Sequence, residues 1–105
     1  MIKGQLGNMM QQAQKLQQGV QKAQQEIENL SISGQAGGGL VKVQMNGKYL
    51  VQRVQLDASA LDDREMLEDL IAAAFNDAGQ KVRTATQEKL SDATGGLPLP
   101  PGLFG

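Results

Sequence analysis

Six carboxylates lie close together in the second half of the chain, and by type they are the residues best suited to chemistry. They are Asp57, Asp62, Asp63, Glu65, Glu68 and Asp69. Oxygen ligands of this kind suit a hard metal ion or an acid/base pair, but their spacing lacks the central glycine and terminal glutamate of a calcium loop. Helix capping and compensation of the helix dipole account for most of them. The sequence therefore predicts no metal site and no cofactor.

Nucleophilic catalysis lacks its usual partners, because the chain contains neither histidine nor cysteine. Its serines are Ser31, Ser33, Ser59 and Ser91. None has an imidazole base, and nothing in the spacing suggests a lysine that would replace one. The glycine run 37–39 resembles a phosphate-binding loop, but a strand follows it rather than a helix N-terminus, so a turn or bulge is predicted. We expect no catalytic residue and no small-molecule substrate.

A long amphipathic helix, roughly residues 5–29, is predicted at the start of the chain. Its apolar residues recur at alternating steps of three and four: Leu6, Met9, Ala13, Leu16, Val20, Ala23, Ile27 and Leu30. This heptad seam has two interpretations, since it can face the chain's own sheet or a second copy of the chain. In the second case the predicted dimer interface consists of Met9, Leu16, Val20 and Ile27.

Three antiparallel strands are predicted in the middle of the chain. An apolar/polar alternation over 30–33 indicates a short first strand before the glycine-rich stretch 34–39. Asn46-Gly47 is the strongest short signal for a two-residue hairpin turn. That turn would pair Val41, Val43 and Met45 with Gln52, Leu50 and Lys48. One face of the ribbon is then largely apolar, and the other is half polar and basic.

A second long helix is predicted from about Asp62 to about Leu90, with Glu65 as the acidic partner in a variant capping box. Its apolar stripe is wide enough to cover a sheet face. Beyond Thr94 the sequence GGLPLPPGLFG can form neither a helix nor a central strand, so residues 95–105 are predicted to be a flexible, disordered Pro/Gly tail. The fold class is α+β, with a single α-β-β-β-α domain over residues 1–94.

The size of the chain favours association. Its 105 residues allow one domain with a modest core, and Tyr49, Phe75 and Phe104 are its only aromatic residues. A dimer would bury more apolar surface than a monomer. We see no export signal and no membrane span, so the expectation is a cytoplasmic protein that does not bind membranes.

The formal net charge of −1 conceals an uneven distribution. Residues 1–56 hold six Lys/Arg and two Glu, whereas residues 57–105 hold four Lys/Arg and nine Asp/Glu. The acidic total argues against strong nonspecific binding to DNA, although a local basic face can still bind it. The candidate DNA contacts are Lys3, Lys15, Lys22, Lys42, Arg53, Lys81, Arg83 and Lys89.

Four segments together resemble a known family. They are Gly37–Val43, the Asn46-Gly47 turn, the block Glu65–Ala78 and the ending Leu99–Gly102. Nearly the whole chain resembles the YbaB/EbfC family of bacterial nucleoid-associated proteins. The resemblance implies a helix, three strands and a helix, assembled as a homodimer of tweezer-like outline. It also implies binding to double-stranded DNA with little sequence preference, in the nucleoid, and no catalytic residue.

Two functions therefore remain in view. The first is a nucleoid protein that organises DNA or modulates transcription through backbone contacts, because the chain has no arginine-rich recognition helix. The second is a non-enzymatic protein-interaction module that uses the heptad seam and the tail to bind a cytoplasmic partner, for example a DNA-processing protein. A basic surface favours the first, and an exposed apolar groove favours the second.

Overall fold

The computed structural model describes residues 2–95, with side chains from residue 4 onward. Five main elements follow one another: α1 (Ile2–Glu28), β1 (Ile32–Ala36), β2 (Val41–Met45), β3 (Val51–Leu56) and α2 (Arg64–Thr94). The predicted α+β arrangement is therefore confirmed. The predicted tail lies, from residue 96 onward, outside the described residues. Within residues 2–95 no helix combines the length and the apolar character that a membrane span requires.

The three strands form one antiparallel sheet in the order β1-β2-β3. A 3-10 turn at Gly37–Gly39 joins β1 to β2, so the glycine run forms a turn as predicted. β1 begins at Ile32 and ends at Ala36, so it starts and ends later than the predicted 30–33 and includes Gly34. A side chain at Gly34 would overlap the backbone of Ala74 and Ala78 in α2. Glycine at this position lets the helix pack directly on the strand.

The pairing of β2 with β3 differs from the prediction. A two-residue turn would have placed residues 48–52 opposite β2, whereas the actual partners lie further along the chain. The pairs are Val41 with Leu56, Lys42 with Gln55, Val43 with Val54, Gln44 with Arg53 and Met45 with Val51. Cross-strand partners share a face. Val54 and Leu56 therefore lie on the same side of the sheet as Val43 and Val41.

The loop between these strands explains why the predicted register was wrong. The Asn46 side-chain oxygen accepts hydrogen bonds from the backbone N–H groups of Lys48 and Leu50, at 2.9 and 3.1 Å. Tyr49 adopts a left-handed conformation with φ 62°. The turn is therefore longer than two residues, and β3 begins only at Val51. Asparagine was a correct turn signal, but its side chain stabilises a wider loop.

The core lies between α2 and the first two strands. Its buried residues are Val41, Val43 and Met45 from β2, and Ala74, Ala78 and Val82 from α2. The two alanines allow α2 to approach the sheet closely. Since α2 packs across β1 and β2, all six residues of β3 remain exposed.

The ends of α2 also differ from the prediction. The N-cap is Asp63 rather than Asp62, because the backbone of Asp63 is extended and its carboxylate accepts a hydrogen bond from the Met66 N–H at 3.1 Å. The helix continues to Thr94, past its predicted end. Gly95 ends it in a left-handed conformation with φ 62°.

α1 packs against the C-terminal half of α2 and runs antiparallel to it. Val20, Ala23 and Ile27 are buried in this contact. A side chain at Gly47 would overlap the Ile27 carbonyl group, so the β2–β3 loop packs directly on the last turn of α1. The earlier part of α1 extends beyond the end of α2 at Thr94. The Cα atoms consequently span 74 × 20 × 19 Å.

Candidate functional site

The predicted basic residues lie on three separate surfaces. Lys15 and Lys22 are exposed on α1, seven residues apart and therefore on one row of the helix. Lys42 and Arg53 are on the sheet face opposite α2, since side chains alternate along a strand. The remaining described residues of the set are on α2: Lys81, Arg83 and Lys89. The side chain of Lys3 lies outside the described part of the chain.

Two of these cations have acidic partners. The Nζ atom of Lys81 lies 3.0 Å from an Asp77 carboxylate oxygen, and Nζ of Lys89 lies 3.4 Å from Glu26. Within residues 4–95, the other predicted cations form no salt bridge; they are Lys15, Lys22, Lys42, Arg53 and Arg83. These residues are thus the ones best placed to bind an external anion.

The clustered carboxylates have local structural partners. Asp57 accepts hydrogen bonds from the Ser59 hydroxyl at 2.7 Å and the Ser59 N–H at 2.9 Å, and these bonds lower the pKa of Asp57. Asp63 caps α2, and Glu68 lies 3.0 Å from Arg64. Across the described residues, no three His, Cys, Asp or Glu side chains converge into a metal-binding group.

The acidic region lies at the N-terminal end of α2, and α1 packs against the C-terminal half of the same helix. Glu65 lies in its first turn, and Lys89 follows 24 residues later, which corresponds to about 36 Å along a helix. Residues 1–25 contain three lysines and no Asp or Glu. Because α2 also carries Glu88 and Asp92 near its end, α1 is the more positive of the two paired helices.

The outer edge of β1 is occupied by side chains from α2. The Gln35 N–H donates a hydrogen bond to the Asp77 carboxylate at 2.9 Å, and the Ser33 carbonyl accepts one from Lys81 at 3.4 Å. The bond from Gln35, and then that from Lys81, lower the pKa of Asp77. Two backbone groups of this edge strand are therefore satisfied by α2 of the same chain.

At the opposite edge of the sheet, β3 exposes apolar side chains and has no neighbouring strand on its outer side in the described part of the chain. Val51, Val54 and Leu56, which we call the β3 patch, are 38 to 42% exposed. Within residues 2–95, the hydrogen bonds of β3 go to β2, and none is formed along its outer edge. Sequence reasoning missed this patch because the predicted hairpin register ended at Gln52. The alternation of Val54 and Leu56 was the signal that would have revealed it.

The heptad seam of α1 divides into two parts. Val20 and Ile27 are only 7% exposed because they pack on α2 of the same chain. Of the four predicted interface residues, Met9 and Leu16 remain accessible to another chain. The exposed part of the seam consists of Leu6, Met9, Ala13 and Leu16. Together with the adjacent exposed Met10 it forms a surface that we call the distal stripe.

Comparison with known proteins confirms the resemblance seen in the sequence. Residues 3–97 match the model of the YbaB/EbfC DNA-binding family. Among solved structures, the chain is similar to uncharacterized protein HP0035 from Helicobacter pylori, with a TM-score of 0.62 and 24% sequence identity. The match covers 81% of this chain and 88% of that chain. At this level of identity the similarity concerns the fold.

Proposed function

The chain belongs to the YbaB/EbfC DNA-binding family, and from this premise we propose that it is a nucleoid-associated homodimer that binds duplex DNA. Membership supports DNA as its partner and a binding role rather than an enzymatic one. In our proposal the protein contacts mainly phosphates, has little sequence specificity, and organises the nucleoid or modulates transcription. The observation that carries the proposal is the separation of charge along α2.

This separation makes DNA binding possible for an acidic protein. The carboxylates from Asp57 to Asp69 lie at the sheet end of the molecule, so a duplex along α1 would avoid their repulsion. The row containing Lys15 and Lys22 would release counterions from the phosphates. Neighbouring glutamines on α1 can donate further hydrogen bonds to phosphate oxygens.

The composition of α1 also supports weak sequence discrimination. The helix has no arginine, and a bidentate arginine–guanine pair is the commonest specific base contact. Lysine and glutamine contacts to phosphates fix position without reading the sequence. Affinity in this proposal therefore comes from charge and shape.

The homodimer in this proposal forms through β3. Its edge is open within the described structure, and its apolar residues Val51, Val54 and Leu56 are half exposed. A second copy of the same strand would satisfy the free backbone groups and bury the β3 patch in a twofold, self-complementary interface. Two copies of α1 would double a small basic surface.

Charge reversal on α1 tests the DNA proposal. For about four phosphates neutralised per dimer, log affinity is expected to fall with log salt at a slope of about −3.6. Lys15→Glu combined with Lys22→Glu should weaken binding to two unrelated duplexes alike. The slope should also become shallower by about 1 for each phosphate that is no longer neutralised. Fluorescence anisotropy over a series of salt concentrations measures both effects.

The matched control is Lys48→Glu combined with Arg64→Glu, which changes the net charge by the same amount at positions outside the row of Lys15 and Lys22. This variant should bind much more tightly than the α1 variant. Equal weakening by both variants would assign binding to total charge and reject the α1 surface. A wild-type protein without salt-sensitive binding to any duplex would reject DNA binding and favour the protein-interaction module.

A further inference from the structure

The distal stripe is an apolar surface without a partner inside the described residues. Leu6, Met9 and Met10 are 53 to 65% exposed, and Leu16 is 36% exposed. They follow the same seam that is buried against α2 further along α1. A contiguous exposed apolar surface of this kind usually marks an interaction site.

We propose that the distal stripe is the docking site for the chain's own C-terminal segment, residues 96–105. The position of Gly95 supports this occupant. Ala93, Thr94 and Gly95 line a surface depression of about 580 Å³ together with Met9, Ala13 and Leu16. The described part of the chain thus ends at Gly95, beside the Leu16 end of the distal stripe.

The length of the segment is sufficient. Because α1 and α2 are antiparallel, the unpaired part of α1 lies ahead of Gly95. Leu6 and Leu16 are about 15 Å apart along the helix axis, at 1.5 Å per residue. Ten residues in an extended proline-rich conformation reach about 31 Å, at 3.1 Å per residue. The segment can therefore follow the whole stripe.

The chemistry of the two surfaces is complementary. Residues 96–105 contain no charged side chain and four large apolar ones: Leu97, Leu99, Leu103 and Phe104. Three prolines in the same segment reduce the conformational entropy lost on docking. The methionines of the stripe are flexible and adapt to irregular apolar partners. A covalent tether gives the segment an advantage over free partners, because its effective concentration reaches the millimolar range.

A single tryptophan tests the proposal, because the natural chain has none. In the full-length Phe104→Trp variant, the emission maximum should lie at shorter wavelength than that of free indole, and acrylamide should quench it less. Adding Met9→Asp should move both readings to those of an exposed tryptophan. Gln11→Asp is the matched control, because it adds the same charge on the far side of α1 and should change neither reading.

The result that would overturn the proposal is an exposed tryptophan in every variant, as the predicted flexible tail would give. An emission that does not respond to Met9→Asp would place the segment elsewhere. A mixing experiment distinguishes docking on a second copy: the Phe104→Trp, Met9→Asp chain is mixed with excess wild-type chains. If its tryptophan becomes protected, the segment binds another subunit and docking on its own α1 is rejected. None of these readings depends on DNA.

Discussion

Individual glycines determine how closely the elements approach one another. Gly47 lies where a side chain would overlap the Ile27 carbonyl, whereas the space around Gly79 in α2 is empty to 4 Å. The same substitution is therefore expected to have opposite effects at the two positions.

We predict that Gly47→Ala destabilises the protein by about 1–3 kcal/mol, because the loop must move away from α1. Gly79→Ala should stabilise it by roughly 0.5–1 kcal/mol, since alanine is the better helix former. Urea denaturation followed by circular dichroism measures both changes. Equal effects at the two positions would show that the contact between the loop and α1 does not limit stability.

Asp77 gives a prediction about acid stability. Its pKa is lowered in the folded protein, by the Gln35 N–H and then by Lys81. The stabilisation it contributes is therefore complete above the unfolded-state pKa of about 3.9 and is lost as pH falls through the folded-state pKa.

We expect Asp77→Asn to be less stable than the wild type at pH 7, with a difference that narrows below about pH 3.9. Asp69→Asn is a suitable control, because the Asp69 side chain makes no hydrogen bond within the described structure. Urea denaturation at several pH values is the measurement. A difference between Asp77→Asn and wild type that stays constant with pH would contradict this role of the carboxylate.

At the level of elements, sequence periodicity predicted which helices and strands exist better than it predicted how the strands pair. The apolar repeats of α1 and α2 identified both helices, since burial of one helix face depends on a repeat visible in the sequence. The β2–β3 register was not predictable from Asn46-Gly47 alone. It depends on local hydrogen bonds that the Asn46 side chain forms within the loop, and on the contact of Gly47 with α1, which is a tertiary feature.

The open strand β3 gives a prediction about assembly. Light scattering at micromolar concentration should give the mass of a dimer for wild type and of a monomer for Val54→Asp, because a buried unpaired charge opposes the interface. Gln55→Asp places the same charge on the opposite face of β3 and should leave the dimer intact.

Both positions in this test are already exposed, so circular dichroism should show an unchanged fold for the two variants. A wild-type monomer mass that persists as concentration rises would reject the dimer. Dissociation by Leu16→Asp but not by Val54→Asp would instead assign the interface to the α1 seam.

At the level of the whole molecule, elongation determines which groups can act together. The radius of gyration is 19.8 Å, compared with about 13 Å for a compact domain of 100 residues. The unequal charges of the two halves were readable in the sequence. The placement of the basic residues on α1, on the exposed sheet face and on α2 was also readable there. The salt bridge of Lys89 with Glu26 was not, because it depends on how α1 packs against α2.

The unequal edges of the sheet have a consequence for the colloidal behaviour of the protein. A sheet that is open at both edges can add strands repeatedly, as fibrils do. Here Asp77 and Lys81 contact two backbone groups of β1, whereas no such contact covers the outer edge of β3 within residues 2–95. If copies pair through β3 as we propose, these contacts on β1 would oppose the addition of a further strand there. The ion pair on α2 would then limit association through strand pairing to two chains.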